Sequence, residues 1–203
     1  FLRSKFLAKR IVRTFKPDVA VGVGGYASAA ALDAAHSLGV PCLIQEQNSY
    51  AGKTNKMLAT KVQKICVAYN GMERFFPSEK IIMTGNPVRQ NVVNDTISKE
   101  DARKQFGLDP DKKTILLVGG SLGARTINDS MRLHLDEVKN AGVQFIWQTG
   151  KYYNEEMHRA LKDYGELPNL RQMDFISDMG AAYKAADLVI SRAGASSISE
   201  FCL

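Results

Sequence analysis

Glycine-rich segments that follow short apolar runs are the first residues in this sequence that suggest chemistry. Three of them are Gly22–Gly25, Gly119–Gly123 and Ser191–Ala195, and each precedes a predicted helix. A glycine turn between a strand and a helix exposes backbone N–H groups near the positive end of the helix, which suits phosphate oxygens. Glycine also simply permits tight turns, so one loop alone has either explanation. Three such loops in one chain favour a phosphorylated ligand.

Charged and amide side chains follow other predicted strands. Glu46-Gln47-Asn48 comes after the strand Pro41–Gln45, and Arg89 comes after the strand Ile81–Thr84 and a proline turn. A guanidinium at this place can bind a diphosphate through two N–H groups. The alternative for Arg89 is an ordinary surface ion pair. In open parallel sheets, ligands bind beyond the carboxyl ends of the strands, so all these positions are candidates.

Glu200 has two competing interpretations. Ser197-x-x-Glu200 matches the capping box of a helix N-terminus, which predicts a structural role. The functional interpretation is a carboxylate that accepts hydrogen bonds from two ribose hydroxyls.

A dinucleotide site is a second hypothesis. Gly22-x-Gly24-x-x-Ala27 fits the fingerprint of a nicotinamide-binding Rossmann domain, and Glu46 stands where an acid that binds the ribose is expected. The Gly119 loop has no comparable acid after its next strand. This hypothesis also leaves the Gly85–Arg89 element without a role.

Metal and disulfide chemistry are not predicted. The histidines lie in predicted helices, no motif has metal-ligand spacing, and Asp109-Pro110-Asp111 is interpreted as a turn. The cysteines are odd in number and widely spaced, which indicates free thiols in a reducing compartment. The histidines are His36, His134 and His158, and the cysteines are Cys42, Cys66 and Cys202.

The elements that must position these residues alternate between strand and helix along the whole chain. This alternation predicts parallel sheets covered by helices. The pattern restarts after a polar stretch at 91–113, with a strand at Thr114–Val118 and one predicted helix at Ala124–Leu135. Two Rossmann-like domains follow from it.

Composition indicates a soluble globular protein. The chain has 203 residues, of which 45% are hydrophobic and 24% charged. No apolar run approaches the roughly 20 residues of a transmembrane helix. Residues 1–16 carry six basic and no acidic residues, so this segment alone accounts for the net charge of +6. The basic pI therefore reflects one amphipathic helix at 2–15 and does not indicate a nucleic-acid-binding protein.

The ordered set of motifs closely resembles the MurG family of N-acetylglucosaminyltransferases, from end to end of the chain. The matching segments are Lys16–Val19, Gly22–Ser28, Glu46–Asn48, Gly52–Lys56, Gly85–Arg89, Gly119–Arg125, Phe175–Met179 and Ser191–Ala195. The resemblance implies an α/β fold of the GT-B type, with two Rossmann-like parallel-sheet domains. It implies that residues 1–92 are the latter part of an N-terminal, acceptor and membrane-side domain, and that 93–203 are the first part of a UDP-sugar-binding domain.

The resemblance also implies a reaction and its partners. The enzyme would transfer N-acetylglucosamine from UDP-N-acetylglucosamine to the C4 hydroxyl of N-acetylmuramic acid in lipid I, with inversion, and would form lipid II for peptidoglycan. No obligatory cofactor or metal is expected. The protein would be peripheral at the cytoplasmic face of the bacterial plasma membrane and would serve cell-wall synthesis. Because the family's candidate base lies in a glycine-rich loop that this sequence lacks, we expect this chain alone to be inactive.

Site residues are carried over from the resemblance by matching positions. The donor-binding residues would be Asn48, Arg89, Gly120, Ser121, Phe175, Ile176, Ala195, Ser196, Ser197 and Glu200. Ile176 would contact uracil through its backbone, Arg89 would lie near the diphosphate, and Glu200 would hold the ribose. The acceptor side would be lined by Gly24, Gly25 and Tyr26.

The basic first helix is interpreted as a membrane contact, with an ordinary solvated helix as the alternative. Apolar and basic side chains on it would rest on anionic lipid headgroups. The residues proposed for this contact are Phe1, Leu2, Lys5, Phe6, Lys9 and Arg10. Two other functions remain open at this point: a UDP-N-acetylglucosamine 2-epimerase of related fold, and a nicotinamide-dinucleotide-binding Rossmann protein.

Overall fold

A computed structural model describes residues 2–93 and 96–203, and of Leu2 the backbone only. The predicted membrane contacts of Phe1 and of the Leu2 side chain therefore lie outside what the structure describes. The chain divides into two compact units, Phe1–Pro87 and Val88–Leu203. Each unit is described by itself. The acceptor and donor roles assigned to 1–92 and 93–203 stay predictions.

The first unit is a parallel sheet that is covered by helices. Its described elements are α1 (Leu2–Phe15), β1 (Ala20–Gly22), α2 (Gly25–Ser37), β2 (Cys42–Glu46), α3 (Lys53–Leu58), β3 (Lys64–Val67) and β4 (Ile81–Met83), with short 3₁₀ turns at Met72–Arg74 and Ser78–Lys80. The strand order is β1-β2-β3-β4, and every pair is parallel. The predicted parallel sheet with covering helices is confirmed here.

The core of the first unit lies under β2 and β3. Both strands are apolar at alternate positions, and Ile44 and Ile65 are fully buried in them. The alanine-rich helix α2, whose composition favours helix strongly, packs Leu32 and Ala35 into the same cluster. Helix α1 adds Val12 to the edge of this core.

An ion-pair cluster fixes α1 on α2. The Asp33 carboxylate accepts from Lys5 on α1, with Nζ and Oδ2 separated by 2.6 Å, and also from Lys61. These two hydrogen bonds hold the pKa of Asp33 below its ordinary value. Lys5, a predicted membrane contact, is thus paired with a carboxylate of α2 and only partly exposed.

The second unit has the strand order of a Rossmann half. Its described strands are β5 (Thr114–Val118), β6 (Gln144–Gln148), β7 (Leu170–Met173) and β8 (Leu188–Ser191), in the order β7-β6-β5-β8 with every pair parallel. Its described helices are α4 (Gln90–Val93), α5 (Lys99–Gln105), α6 (Arg125–Leu133), α7 (Leu135–Asn140), α8 (Asn154–Tyr164), α9 (Met179–Ala185) and α10 (Ala195–Phe201).

Hydrophobic clusters cover both faces of this second sheet. Leu116 and Ile146 point to a cluster with α5 and α9, whereas Leu117 and Trp147 point to a cluster with α6 and α8. This alternation follows from the two-residue period of a strand. The Trp147 indole N–H donates to the buried Asn128 side chain at 3.0 Å, so the largest core side chain is also satisfied in its polar atom.

Two differences from the sequence-based elements are notable. The predicted helix Ala124–Leu135 ends at Leu133, and a separate helix α7 runs from Leu135 to Asn140. The stretch 91–113, predicted as a polar linker, belongs to the second unit, because α5 packs on α9 through the buried Ala102. Among the described residues, no helix has the length and apolar character needed to cross a bilayer.

A buried arginine ties α5 to the end of α9. The Arg103 guanidinium donates to Asp187 at 2.6 Å and to the carbonyls of Ala185 and Pro110. Asp187 also accepts from the Thr114 backbone N–H at 2.8 Å. Burial raises the pKa of Asp187, but the Thr114 bond and nearby lysines outweigh it and lower the pKa overall.

We expect Asp187→Ala to lower the free energy of unfolding by about 3 kcal/mol at neutral pH, because Arg103 would stay buried without its carboxylate. The lowered pKa means that the Asp187 contribution is complete above the ordinary carboxyl value of about 3.9 and is lost as the pH falls below it. Urea unfolding at several pH values measures both effects. Glu155→Ala, which removes an exposed pair with Arg159, is the control and should change stability by less than about 1 kcal/mol. A deficit as small as the control's would contradict the interpretation.

Candidate functional site

The strand order of the second unit creates a crevice at one edge of the sheet. β5 is central, and the chain goes from it to β6 on one side and later to β8 on the other. Val118 pairs with Gln148 and with Ser191, so the three strands end at the same level. The loops after β5 and β8 therefore lie side by side. This is the topological switch point at which doubly wound sheets bind their ligands.

Two adjoining cavities occupy this place, and we call them together the switch-point cavity. The larger has a volume of about 350 Å³ and is lined by Val118, Gly119, Gly120, Arg192, Ala193, Gly194 and Ser197. The smaller has about 130 Å³ and is lined by Arg89, Val118, Gly120, Ser121, Gln148, Phe175, Ile176, Met179, Tyr183, Ser197 and Glu200. They share Val118, Gly120 and Ser197.

The loop after β5 is held in one shape by its backbone. Gly123 N–H donates to the Gly120 carbonyl at 2.9 Å, and Lys151 N–H donates to the Ser121 carbonyl at 3.1 Å. Gly123 has φ of +90°, and a Cβ there would lie 2.3 Å from the Thr149 carbonyl oxygen. Only glycine fits such a contact with a positive φ. The loop is therefore rigid and packed on the loop after β6, as a preformed ligand site requires.

Glu200 points into the smaller cavity and has two partners there. Its Oε2 accepts from the Tyr183 hydroxyl at 2.8 Å, and its Oε1 lies 3.7 Å from Arg89 Nε. The Glu200 side chain is 8% exposed, whereas that of Arg89 is 53% exposed. Burial, and then the bond to Glu200, raise the pKa of Tyr183, so its hydroxyl stays protonated and donates.

The predicted capping box at Ser197 is wrong. Helix α10 begins at Ala195 after Gly194, and Ile198 N–H donates to the Gly194 carbonyl at 2.9 Å. Ser197 therefore lies inside the first turn. The Glu200 carboxylate is instead bonded through Tyr183 on α9, so it is directed into the cavity by a tertiary contact.

Most of the residues in the second unit that were predicted to bind the donor line this cavity. Ile176 is buried and Phe175 beside it is 54% exposed. Ala195 and Ser196 lie in the first turn of α10 but not in the cavity lining. The predicted contacts that line the switch-point cavity are Arg89, Gly120, Ser121, Phe175, Ile176, Ser197 and Glu200.

Sequence reasoning missed two polar lining residues, Tyr183 and Gln148. Gln148 ends β6, is 3% exposed, and its Oε1 has no hydrogen-bond partner among the described residues. Tyr183 lies within a short alanine-rich helix, where no local motif marks it. Gln148 could have been found from its place at a strand end, but Tyr183 is recognisable only by what it contacts.

A separate cavity of about 300 Å³ lies in the first unit. It is lined by residues 23–26, 46–48 and 52–55. Gly24, Gly25 and Tyr26, the predicted acceptor-side residues, meet Asn48 there. Tyr26 is 92% exposed at the start of α2, and no side chain caps that helix. The first residues of α2, Gly25 and Tyr26, line this cavity, and the N–H groups of a helix's first turn suit an anion.

The wall of this cavity is built on the buried carboxylate of Glu46. Oε1 accepts from the backbone and side-chain N–H groups of Asn48, both at 3.1 Å. Oε2 accepts from Gly52 N–H at 3.0 Å and from the Asn55 side chain at 2.8 Å. All of the roughly four lone-pair positions of a carboxylate are thereby used. Glu46 has no acceptor left for a ribose, which argues against the dinucleotide hypothesis.

Among the described residues, no group of three or more His, Cys, Asp or Glu side chains lies close enough together to hold a metal ion. The Asp109–Asp111 segment forms the predicted turn, because Asp111 N–H donates to Asp109 Oδ1 at 3.0 Å. The three cysteines are free, with Cys42 buried, Cys66 half-buried and Cys202 exposed.

Glu46→Gln should lower the free energy of unfolding by about 3 kcal/mol, because an amide NH₂ would then face buried N–H donors. Chemical denaturation measures this loss. Glu73→Gln, at an exposed site of the same unit, is the control and should stay within about 0.5 kcal/mol of wild type. Equal effects of the two substitutions would show that the Glu46 bonds do not organise the loop.

Comparison with protein families finds two domain models that match this chain. Residues 1–67 match the glycosyltransferase family 28 N-terminal domain, and residues 114–203 match the glycosyltransferase family 28 C-terminal domain. Together the two models cover most of the chain.

A curated relative from Phocaeicola vulgatus is 64% identical over 202 residues. It is named UDP-N-acetylglucosamine--N-acetylmuramyl-(pentapeptide) pyrophosphoryl-undecaprenol N-acetylglucosamine transferase. The match covers 100% of this chain and 54% of that protein, so the chain spans about half the length of the curated relatives it matches.

Solved structures also match this chain, at lower sequence identity. The crystal structure of Acinetobacter baumannii MurG matches with a TM-score of 0.61 and 34% identity, over 98% of this chain and 53% of that one. The UDP-GlcNAc 2-epimerase from Neisseria meningitidis, bound to UDP-GlcNAc, matches with a TM-score of 0.65 over 95% of this chain and 59% of that one. At 16% identity, the second likeness concerns the fold alone.

Proposed function

Since the chain belongs to the MurG family within glycosyltransferase family 28, we propose that the protein is an inverting N-acetylglucosaminyltransferase of peptidoglycan synthesis. It moves N-acetylglucosamine from UDP-N-acetylglucosamine to the C4 hydroxyl of N-acetylmuramic acid in lipid I and forms lipid II. The family and the fold class expected from the sequence, two Rossmann-like parallel-sheet domains of the GT-B type, are confirmed.

The observation that carries the donor half of this proposal is the composition of the switch-point cavity. One cavity edge has a rigid glycine loop, a guanidinium and a carboxylate, from Gly120, Arg89 and Glu200. A nucleoside diphosphate sugar needs these three groups: amides and a cation for the diphosphate, and an acceptor for ribose hydroxyls. Their convergence from distant parts of the chain supports a UDP-sugar ligand.

Each part of the donor has a partner in this arrangement. The diphosphate is bound by Arg89, by the loop containing Ser121 and by the first turn of α10. The uracil lies against Ile176, with Phe175 beside it, and the ribose binds Glu200. Charge that grows on the leaving diphosphate is stabilised by fixed donors, which lowers the barrier for transfer. Asn48, the remaining predicted donor contact, lies in the first unit.

Arg89 and Glu200 exchange partners when the donor binds. Without ligand they form an ion pair with 3.7 Å between Nε and Oε1. The diphosphate, with its larger negative charge, attracts the guanidinium, and ribose hydroxyls take the freed carboxylate oxygen. The charge of Glu200 thus holds Arg89 near the cavity before the donor arrives.

The cavity of the first unit is the proposed acceptor side. Gly24, Gly25 and Tyr26 present the start of α2 to an anion, and the pyrophosphate of lipid I is such a group. Placing acceptor and donor in line supplies much of the rate enhancement in this type of transfer. We propose that the reaction requires no cofactor or metal.

The two alternatives are less favoured. The dinucleotide hypothesis needs a free carboxylate at Glu46, and its oxygens are fully bonded within the protein. A 2-epimerase shares the fold, but the family models and the curated relative favour the transferase.

Arg89→Ala in the intact protein should lower kcat/KM for UDP-N-acetylglucosamine by roughly 10²-fold, the usual effect of losing one donor to developing charge. A steady-state assay of lipid II formation measures it. Arg159→Ala, an exposed arginine on α8, is the control and should leave kcat/KM unchanged.

Thermal-shift titration of the same proteins separates the hypotheses. UDP should raise the Tm of the wild type and of Arg159→Ala, and raise that of Arg89→Ala less, whereas NAD should not raise any of them. A transfer rate that is indifferent to Arg89 would remove this residue from the mechanism.

For localisation we propose peripheral attachment at the cytoplasmic face of the plasma membrane through α1. Phe6, Lys9, Arg10 and Arg13 recur at helical spacing and together line one surface groove of about 390 Å³. Phe6 is 74% exposed. Val12 and Lys5 on a neighbouring side of α1 contact the core and α2, whereas this surface combines an exposed aromatic ring with basic residues, as interfacial helices do.

Lys9→Gln/Arg10→Gln should weaken binding to vesicles of anionic phosphatidylglycerol roughly thirtyfold, since each basic residue near such a surface contributes about 1 kcal/mol. Co-sedimentation at low salt measures the affinity. Lys139→Gln/Lys162→Gln removes the same charge elsewhere and should have little effect. Equal loss in both double variants, or wild-type binding that ignores salt and anionic lipid, would contradict attachment through α1.

A further inference from the structure

Tyr183 is a polar group of the switch-point cavity to which the proposed transfer assigns no task. It lies on α9, outside every motif of the sequence, and lines the smaller cavity with Glu200 and Arg89. Its hydroxyl donates to Glu200 Oε2 at 2.8 Å. This hydrogen bond to a carboxylate links α9 to α10, two helices that are separated in the chain by β8.

We propose that Tyr183 is the positioning residue for Glu200 and thereby sets the preference of the enzyme for a ribose over a deoxyribose nucleotide. This inference rests on the proposed function, in which Glu200 binds the ribose. Tyr183 itself acts only through Glu200.

The geometry shows why Tyr183, rather than Arg89, orients the carboxylate. Arg89 Nε lies 3.7 Å from Glu200 Oε1, beyond hydrogen-bonding distance, and its side chain is half-exposed. The Tyr183 ring is held from behind by Phe201, with centroids 5.4 Å apart and ring planes at 88°. When the diphosphate binds Arg89, Tyr183 remains hydrogen-bonded to Glu200.

The bond leaves the other carboxylate oxygen available to the ligand. Tyr183 occupies one acceptor position on Oε2, and a carboxylate offers about four such positions. Oε1 and the remaining position on Oε2 can therefore accept from ribose hydroxyls. Burial, and then the bond to Glu200, raise the pKa of Tyr183 above that of an ordinary phenol, so the hydroxyl keeps its proton at neutral pH and donates.

The test compares UDP-N-acetylglucosamine with its 2′-deoxyribose analogue in the intact enzyme. Wild type should prefer the ribose donor in kcat/KM by tenfold or more, about the effect of one hydrogen bond to a charged group. Tyr183→Phe keeps the ring and its contact with Phe201 and removes only the hydroxyl. It should raise KM for the ribose donor roughly tenfold, raise KM for the deoxyribose donor, which keeps only the 3′ hydroxyl, by clearly less, and leave kcat within about twofold for both.

Tyr164→Phe is the matched control. Tyr164 also donates to a carboxylate, that of Asp136, at 2.6 Å, which raises its pKa to about 12, but it lies outside the switch-point cavity. This variant should leave the preference for ribose unchanged. In a Glu200→Ala background, Tyr183→Phe should have no further effect on the preference, because the carboxylate through which it acts is gone.

The outcomes are distinct. A parallel rise in KM for both donors, or an unchanged preference, would mean that Tyr183 has only a packing role and would overturn this inference while leaving the transferase intact. A wild type that neither binds UDP nor uses UDP-N-acetylglucosamine would overturn the proposed function and this inference with it.

Discussion

The pairing of β5 between β6 and β8 is the constraint on which the proposed donor site depends. Val118 stands level with Gln148 on one side and Ser191 on the other. Every residue that follows these strands is therefore delivered to one edge of the sheet. A shift of the register by one residue would turn the strand's side chains to opposite faces, so the same alternation that builds the two cores also keeps the loops in place.

The switch-point cavity combines a backbone loop of fixed shape with a side chain that can move. The glycine loop after β5 cannot relax, because Gly123 lies directly against Thr149. Its N–H groups are set before any ligand arrives and cost no reorganisation on binding. Arg89, by contrast, is half-exposed and paired with Glu200 at a distance that a ligand can break. The proposed site would combine a fixed loop that binds an anion with one charged side chain that moves to the ligand.

In the first unit, a buried carboxylate holds the loop after β2 and accepts hydrogen bonds from its backbone N–H groups. Glu46 is 2% exposed, and its carboxylate receives donors from Asn48, Gly52 and Asn55. A buried charge of this kind is tolerated because it is fully hydrogen-bonded. The same saturation that makes Glu46 a good organiser makes it unable to bind a ribose. A sequence fingerprint for dinucleotides thus describes a structural carboxylate here.

Local sequence was sufficient for what depends on near neighbours in the chain. The strand at Thr114–Val118, the alternation that predicts parallel sheets and the glycine turns were all readable from short patterns, because backbone geometry and apolar periodicity are local properties. The break of Ala124–Leu135 into two helices was not, since no proline or glycine marks it. A polar helix around Lys99–Phe106 was also readable and is α5, but the assignment of 91–113 to a linker failed because this helix packs on the second unit through only a few residues such as Ala102.

What the sequence determined by itself is therefore the set of residues that follow the strands and their chemical types, Arg89 among them. Tertiary structure decided how they are used. It showed that Ser197 is not a cap, that Glu46 is saturated and that the Tyr183 hydroxyl donates to Glu200. The physical reason is that hydrogen-bond partners of a buried carboxylate come from wherever the packed helices and loops place a donor. In α9 and α10 that donor is seventeen residues away in the chain, and no local pattern records it.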